Sequence, residues 1–154
     1  MEQNRYQKLV EGFVECLEPY DFHWWGTLEF SPKKPLKDPI RAKGYVTQYI
    51  KNNFDLPDRT WPSYFMSVEH FKSNFFTHVH FMLAGVCEGL SEKEAGKAIG
   101  GPWWEKYHGY CYLQKFNPAM GAAGYIAKYV TKELCDWDIR LKSEHRKDYL
   151  LFNG

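Results

Sequence analysis

The feature that most constrains this chain is a pair of apolar runs, SYFMSVEHF (63–71) and FFTHVHFMLAGV (75–86), separated only by Lys72-Ser73-Asn74. Both are rich in aromatic and β-branched residues and both are bounded by turn formers, so they read as strands. Strands joined by so short a connection pair antiparallel. With Ser73-Asn74 as a two-residue turn, residues whose numbers sum to 147 face each other. Glu69 then lies across from His78, and Ser67 across from His80. Side chains alternate along a strand, so His78 and His80 share one face while Val79, Phe81 and Leu83 share the other, the natural core face. His70 falls on the face opposite Glu69, and a one-residue slip would exchange the two.

The rest of the chain surrounds this hairpin with helices. Leu9, Val10, Phe13, Val14 and Leu17 recur at helical spacing over residues 4–18. Asp21 leads into FHWWGTLEF, an aromatic strand broken by Ser31-Pro32-Lys33-Lys34-Pro35. Asp38-Pro39 has the form of an N-cap followed by proline at the first helical position, opening a helix to about Phe54. NNFDLPDRTWP reads as a loop. Ser91 with Glu94 makes a capping box for a short helix, which Gly100-Gly101-Pro102 ends. GYCYLQKF is a further strand. Asn117-Pro118 starts a helix running through YIAKYVTKEL, and DWDIRLK adds a last strand. The order is αβαββαβα(β). It predicts an α+β fold with a central antiparallel sheet of about five strands and helices packed on it, like an RNA-recognition fold, not a doubly wound parallel sheet.

With 154 residues, 44% of them hydrophobic, the chain is long enough for one domain, 1–154, with a real core. No repeat or low-complexity tract interrupts it. The 20 Lys and Arg nearly balance 19 Asp and Glu, which argues against bulk coating of nucleic acid and leaves room for a local basic patch. Aromatics reach 18%, which suits either a packed core or stacking on bases. Cys16, Cys87, Cys111 and Cys135 form no CxxC pair, so they read as reduced thiols rather than a zinc knuckle or disulfide framework. The first residues, MEQNRYQKLVEGF, do not read as a signal peptide, and no apolar run approaches the ~20 residues of a membrane span.

Two constellations carry chemistry. The first is Glu69, His78 and His80, converging on one sheet face. Two imidazoles and a carboxylate form a mixed nitrogen–oxygen site that leaves positions open for water and substrate. Mn²⁺ or Mg²⁺ suits such a site if it must also hold phosphate oxygens. The second is GAAGYIAKYVTKE (121–133). Tyr125 and Tyr129 are four apart and stack on one helix face, each followed three residues on by a lysine, Lys128 or Lys132. Ile126 and Val130 form the opposite, core-facing stripe, so the helix is expected to present its phenols and ammonium groups outward. A phenol is a weak nucleophile that a nearby cation and a metal-polarised phosphate would help.

At these residues the sequence resembles the HUH endonuclease superfamily, in particular the Rep-type initiators of rolling-circle replication. His78-Val79-His80 is similar to the family's His-hydrophobic-His motif. Tyr125-Ile126-Ala127-Lys128 is similar to its Tyr-x-x-Lys motif. The repeat Tyr129-Val130-Thr131-Lys132 resembles the two-tyrosine branch known from plasmid and phage initiators. FHWWGTLEF stands where the family's aromatic first strand would be. Nothing resembles a GxxxxGK[ST] phosphate loop, so no helicase domain is expected.

The resemblance implies a nuclease that nicks and joins single-stranded DNA at an origin, exposed in a hairpin. The metal held by Glu69, His78 and His80 would polarise the phosphate, Tyr125 would attack first, Tyr129 would act second, and Lys128 would orient the phosphate. A 5′-phosphotyrosine would result. A host or separate helicase and polymerase would be partners, in the cytoplasm of a bacterial or phage-infected cell. Trp24, Trp25, Trp61, Trp103, Trp104 and Tyr107 are candidates for stacking on unpaired bases, with one of Trp24 and Trp25 in the core and the other outside. Lys33, Lys34 and Lys37 are candidates for phosphate contacts. A transposase or relaxase with the same chemistry, a metal-dependent hydrolase of small phosphoesters and a non-catalytic nucleic-acid-binding module remain open.

Overall fold

A computed structural model of the chain describes residues 2–54, 61–129 and 134–153. Its elements are α1 (Glu2–Leu17), β1 (Phe22–Phe30), α2 (Pro39–Phe54), β2 (Ser63–His70), β3 (Thr77–Ala84), α3 (Glu92–Ala98), α4 (Gly101–Tyr107), β4 (Gly109–Lys115), α5 (Gly121–Tyr129), β5 (Leu134–Arg140) and α6 (Tyr149–Asn153), with a short 3₁₀ turn at Ser143–His145. The strands form one antiparallel sheet in the order β4-β1-β3-β2-β5. The expected α+β architecture is the one observed. Part of the loop read over residues 52–62 lies outside the described residues.

Helices cover both faces of the sheet. On one face Trp24, Leu28, Val68, Val79, Phe81 and Leu83 pack against α2, α3 and α4. On the other, Phe22, Trp25, Phe65, Met82 and Ala84 pack against Phe13 and Leu17 of α1 and Ala122, Tyr125 and Ile126 of α5. Trp24 and Trp25 do point to opposite faces, but both are buried. The expectation that one stands outside fails because α1 and α5 roof the second face. A bulge at His23 breaks the pairing of β1 with β3, and it lets Phe22 and Trp25 share a face although they are three apart. Gly26 sits at the centre of β1, where a Cβ would overlap the Tyr112 carbonyl and the Phe81 ring. A side chain there would hold β4 off the sheet.

The hairpin keeps the predicted register, with Glu69 opposite His78 and Ser67 opposite His80. Its turn is longer than the predicted two residues. The Phe71 and Phe75 amides donate to the Phe76 and Phe71 carbonyls, and Phe75 takes a left-handed φ of 58°. Phe71 and Phe76 also sum to 147, so the longer loop leaves the pairing unchanged.

Gly100, at φ 78°, ends α3 as expected, and the chain then starts a further helix, α4, which the expected element order does not include. Proline lacks an N–H that the first helical turn does not need, so Pro102 opens this helix. Asn117-Pro118 begins with a turn in which Asn117 Oδ1 accepts the Ala119 N–H, and α5 follows only from Gly121. Leu134, placed by pattern on the end of that helix, opens β5. No described helix is long and apolar enough to cross a membrane.

Candidate metal centre and the helix above it

Register places two polar rows across the sheet face that α1 and α5 cover. One runs Tyr110, Glu29, His78, Glu69 over β4, β1, β3 and β2; the next runs Tyr112, Thr27, His80, Ser67. Residues directly opposite in an antiparallel pair project from the same face within about 5.5 Å at Cβ. The predicted trio therefore meets: ligand atoms of Glu69, His78 and His80 all lie within 4.8 Å of one another. His78 Nε2 is 3.7 Å from Glu69 Oε2. The two imidazoles stand nearly perpendicular, centroids 4.9 Å apart at 83°.

Burial sets the protonation of this site. Glu69 is 3% exposed and His78 is also buried. Desolvation, then the neighbouring His70, pushes the His78 pKa down to about 4. Desolvation, then His78, pushes that of His80 down to about 3. Both rings are neutral at pH 7 and offer lone pairs.

The donor set fits a divalent cation. Donors on one ion bound at ~2.0–2.2 Å lie roughly 3–4.5 Å apart, so the observed spread closes with small side-chain movements. A carboxylate as buried as Glu69 is stable when its charge is balanced. His80 Nδ1 is engaged with Thr27 Oγ1 at 2.9 Å, so Nε2 is the ring nitrogen that would serve as a ligand. His78 Nδ1 is buried and has no hydrogen-bond partner among the described residues. Its ring stacks instead on Phe71, centroids 4.1 Å apart at 27°. His70 takes no place in the cluster; its Nε2 pairs with the Lys37 carbonyl at 2.9 Å.

α5 departs from expectation. Tyr125 is 4% exposed and points inward with Ile126, not outward. Its ring stacks on Phe116 at 4.3 Å and lies 5.6 Å from Trp25, and its hydroxyl accepts the Asn117 amide at 2.8 Å. A helix packed between a sheet and a second helix buries a stripe wider than one row, and that stripe takes in both residues. Tyr125 lines a small cavity that Ser67 and His80 also line. Lys128 and Tyr129 lie on α5, but their side chains fall outside the described residues, as does Lys132. The chain leaves α5 at Tyr129 and enters β5 at Leu134, the partner of Glu69, so α5 runs toward the end of the sheet that carries Glu69.

Of the aromatic candidates, Trp24, Trp25 and Trp104 are core residues. Trp61 is half-buried beneath the Arg140 guanidinium, 4.2 Å from the ring centroid. Trp103 and Tyr107 are exposed. Lys33 and Lys34 line a groove with Tyr107, Tyr110 and Glu29, whereas Lys37 lies over the Phe76 ring at 5.7 Å. Sequence reasoning missed Thr27, Phe71 and Tyr110. Thr27 meets His80 only through the pairing of β1 with β3, and Tyr110 joins the same polar row, two strands from His78, through the pairing of β1 with β4; no local pattern reveals either. Phe71 was within reach, because it follows Glu69 by two residues at the start of the turn.

This is the α+β fold of the HUH endonucleases. Among solved structures, the catalytic domain of the adeno-associated virus type 5 Rep protein shares it: TM-score 0.50 and 11% sequence identity, over 78% of this chain and 86% of that one. No protein-family model and no curated protein matches the sequence.

Proposed function

We propose that this chain is a metal-dependent endonuclease and strand transferase that nicks and joins single-stranded DNA at a replication origin through a 5′-phosphotyrosine intermediate. The observation that carries the reading is the convergence of Glu69, His78 and His80 on a fold shared with a viral Rep catalytic domain. These three residues would hold Mn²⁺ or Mg²⁺, which when bound polarises the scissile phosphate and offsets charge developing on its oxygens. Residues 1–154 act in this reading as one nuclease domain, in the cytoplasm, with helicase and polymerase supplied by the host or by separate proteins.

Tyr129 is the better candidate for first attack. Tyr125, favoured by sequence, is buried and its hydroxyl is held by the Asn117 amide. Tyr129 lies one helical turn nearer the end of α5 from which the chain proceeds to Leu134 beside Glu69. In the step, the phenol gives up its proton and its oxygen bonds to phosphorus. The P–O3′ bond breaks, and the departing 3′ oxygen takes up a proton. Lys128 and Lys132 supply positive charge beside the phosphate. Joining is the reverse attack by a 3′-hydroxyl, and it needs no ATP because the phosphotyrosine bond keeps the energy of the broken one. For Tyr125 to serve as the second nucleophile, as a two-tyrosine plasmid or phage initiator requires, its hydroxyl must first leave Asn117. Lys33 and Lys34 beside exposed Tyr107 and Tyr110 offer the strand cations and flat faces.

One further reading has an observation behind it. The buried Tyr125 and the exposed aromatics also suit a non-catalytic module that binds unpaired nucleic acid. Incubation with labelled single-stranded oligonucleotides and MnCl₂, followed by a denaturing gel, separates the two. The nuclease gives a protein band shifted by covalently bound DNA, absent with EDTA and with His78→Ala. Binding without an adduct under every metal leaves the binding module. A transposase or relaxase would give the same band and differs in the DNA it moves.

A further inference from the structure

We propose that Phe71 is the positioning residue for His78, holding the imidazole as a metal ligand by ring stacking where a hydrogen bond is missing; this rests on the metal-centre reading above. A histidine that binds metal through one nitrogen carries a proton on the other, and a hydrogen-bond acceptor for that proton usually fixes the ring. His80 has such a partner in Thr27. His78 does not: its Nδ1 is buried and unpartnered among the described residues. A ring so placed is free to turn about χ2 unless something else restrains it.

Phe71 supplies that restraint. Its ring lies nearly parallel to that of His78, 27° off plane with centroids 4.1 Å apart. His80 meets the same imidazole nearly perpendicular, at 83° with centroids 4.9 Å apart. The ring is thus in contact with a flat face and with a second, crossed ring, and its Nε2 lies 3.7 Å from Glu69 Oε2. Phe71 is itself anchored by the hairpin, where its amide donates to the Phe76 carbonyl and its carbonyl accepts the Phe75 amide, each at 2.9 Å. The turn that joins β2 to β3 therefore fixes Phe71, and Phe71 fixes His78. This gives the four-residue turn, with its strained Phe75, a role in the site and not only in the connection.

The test is Mn²⁺ titration by calorimetry on the folded chain, with no DNA present. His78→Ala serves as the reference for loss of a ligand. Phe71→Leu keeps an apolar side chain but removes the flat face. It is expected to weaken Mn²⁺ binding roughly tenfold, the low end of what loss of a second-layer partner costs a metal site. Phe71→Tyr restores the face and is expected to bind within about twofold of the parent, since its ring stacks equally well. Thermal melts without metal check that both variants fold; Phe71 is 36% exposed at a strand end, where either side chain is accommodated. Parent-like affinity in Phe71→Leu overturns the proposal while leaving the metal centre intact, provided His78→Ala has lost binding. Equal weakening in Phe71→Leu and Phe71→Tyr overturns it as well, because the flat face would then not be the cause. Unchanged binding in His78→Ala removes the metal centre itself, and this proposal with it.

Discussion

Thr27 Oγ1 and His80 Nδ1 lie 2.9 Å apart, across the pairing of β1 with β3. In the proposed metal site, where Nε2 would be the ligand, Nδ1 carries the ring proton and donates it to the threonine hydroxyl, so this bond would select the metal-binding tautomer. Thr27→Val removes the acceptor without changing the shape, and it is expected to weaken Mn²⁺ binding by about tenfold, whereas Thr27→Ser retains it. Calorimetric titration of the three proteins checks this, with His80→Ala as the reference for loss of the ligand.

In the proposed nuclease the two tyrosines of α5 have separate roles, Tyr125 structural and Tyr129 chemical. Tyr125→Phe leaves the Asn117 amide without its acceptor, and a lost hydrogen bond of this kind costs about 1 kcal/mol. The unfolding free energy from urea titration is expected to fall by about 1 kcal/mol while the covalent adduct still forms. Tyr129→Phe is expected to abolish the adduct and leave the unfolding free energy within about 0.5 kcal/mol of the parent.

Lys33 and Lys34 test the path of the strand. Each phosphate contact on a single strand contributes about 0.7 to the slope of log affinity against log salt. Replacing both by alanine is expected to weaken binding of a single-stranded oligonucleotide and to lower that slope by about 1.4 in total. Tyr110, 52% exposed in the same groove, is expected to lose affinity on change to alanine with the slope unaltered. Fluorescence anisotropy over a salt series in EDTA reads both effects without cleavage.

His145 gives the fold a pH dependence away from the metal centre. Ser63 donates its backbone N–H to His145 Nδ1 at 3.2 Å, so that nitrogen must be unprotonated, and Gly85 packs directly against the ring. Burial, the largest effect, lowers the His145 pKa, and Lys142 and His23 add to it, while Glu144 and Glu88 pull the other way. The unfolded chain then takes up the proton first as pH falls. The stability His145 contributes is full above about pH 6.5 and is lost as pH drops through the lower folded value. His78 and His80 act in the same direction. The imidazole titration of His145 followed by NMR is expected below the ordinary midpoint, and His145→Asn is expected to remove part of the loss in urea stability between pH 7 and 5.

The sheet and its centre were legible because the hairpin is local. One short connection set the register, and the register brought Glu69 to His78. The turn itself was misread without harm, since Phe71 and Phe76 satisfy the same pairing. The bulge at His23 leaves no mark in the alternation of so aromatic a strand. α4 was hidden behind Gly100-Gly101-Pro102, where Pro102 opens a helix as readily as it closes the one before. A narrow buried stripe would turn Tyr125 outward, but α1 beside α5 widens that stripe and buries it. Thr27 reaches His80, and Tyr110 the row that holds Glu29 and His78, through pairings between strands far apart in sequence, and those are decided by the packed whole.

The most direct measurement is tandem mass spectrometry of the covalent adduct, formed with a cleavable single-stranded oligonucleotide and MnCl₂, then digested with protease and nuclease. A nucleotide linked by phosphate to the peptide of α5, at Tyr129, is expected, and none when EDTA is present or Glu69 is changed to Gln. A nucleotide on Tyr125 would contradict the order of attack. A cut strand with no peptide-linked nucleotide, or a link outside α5, would contradict the phosphotyrosine chemistry itself.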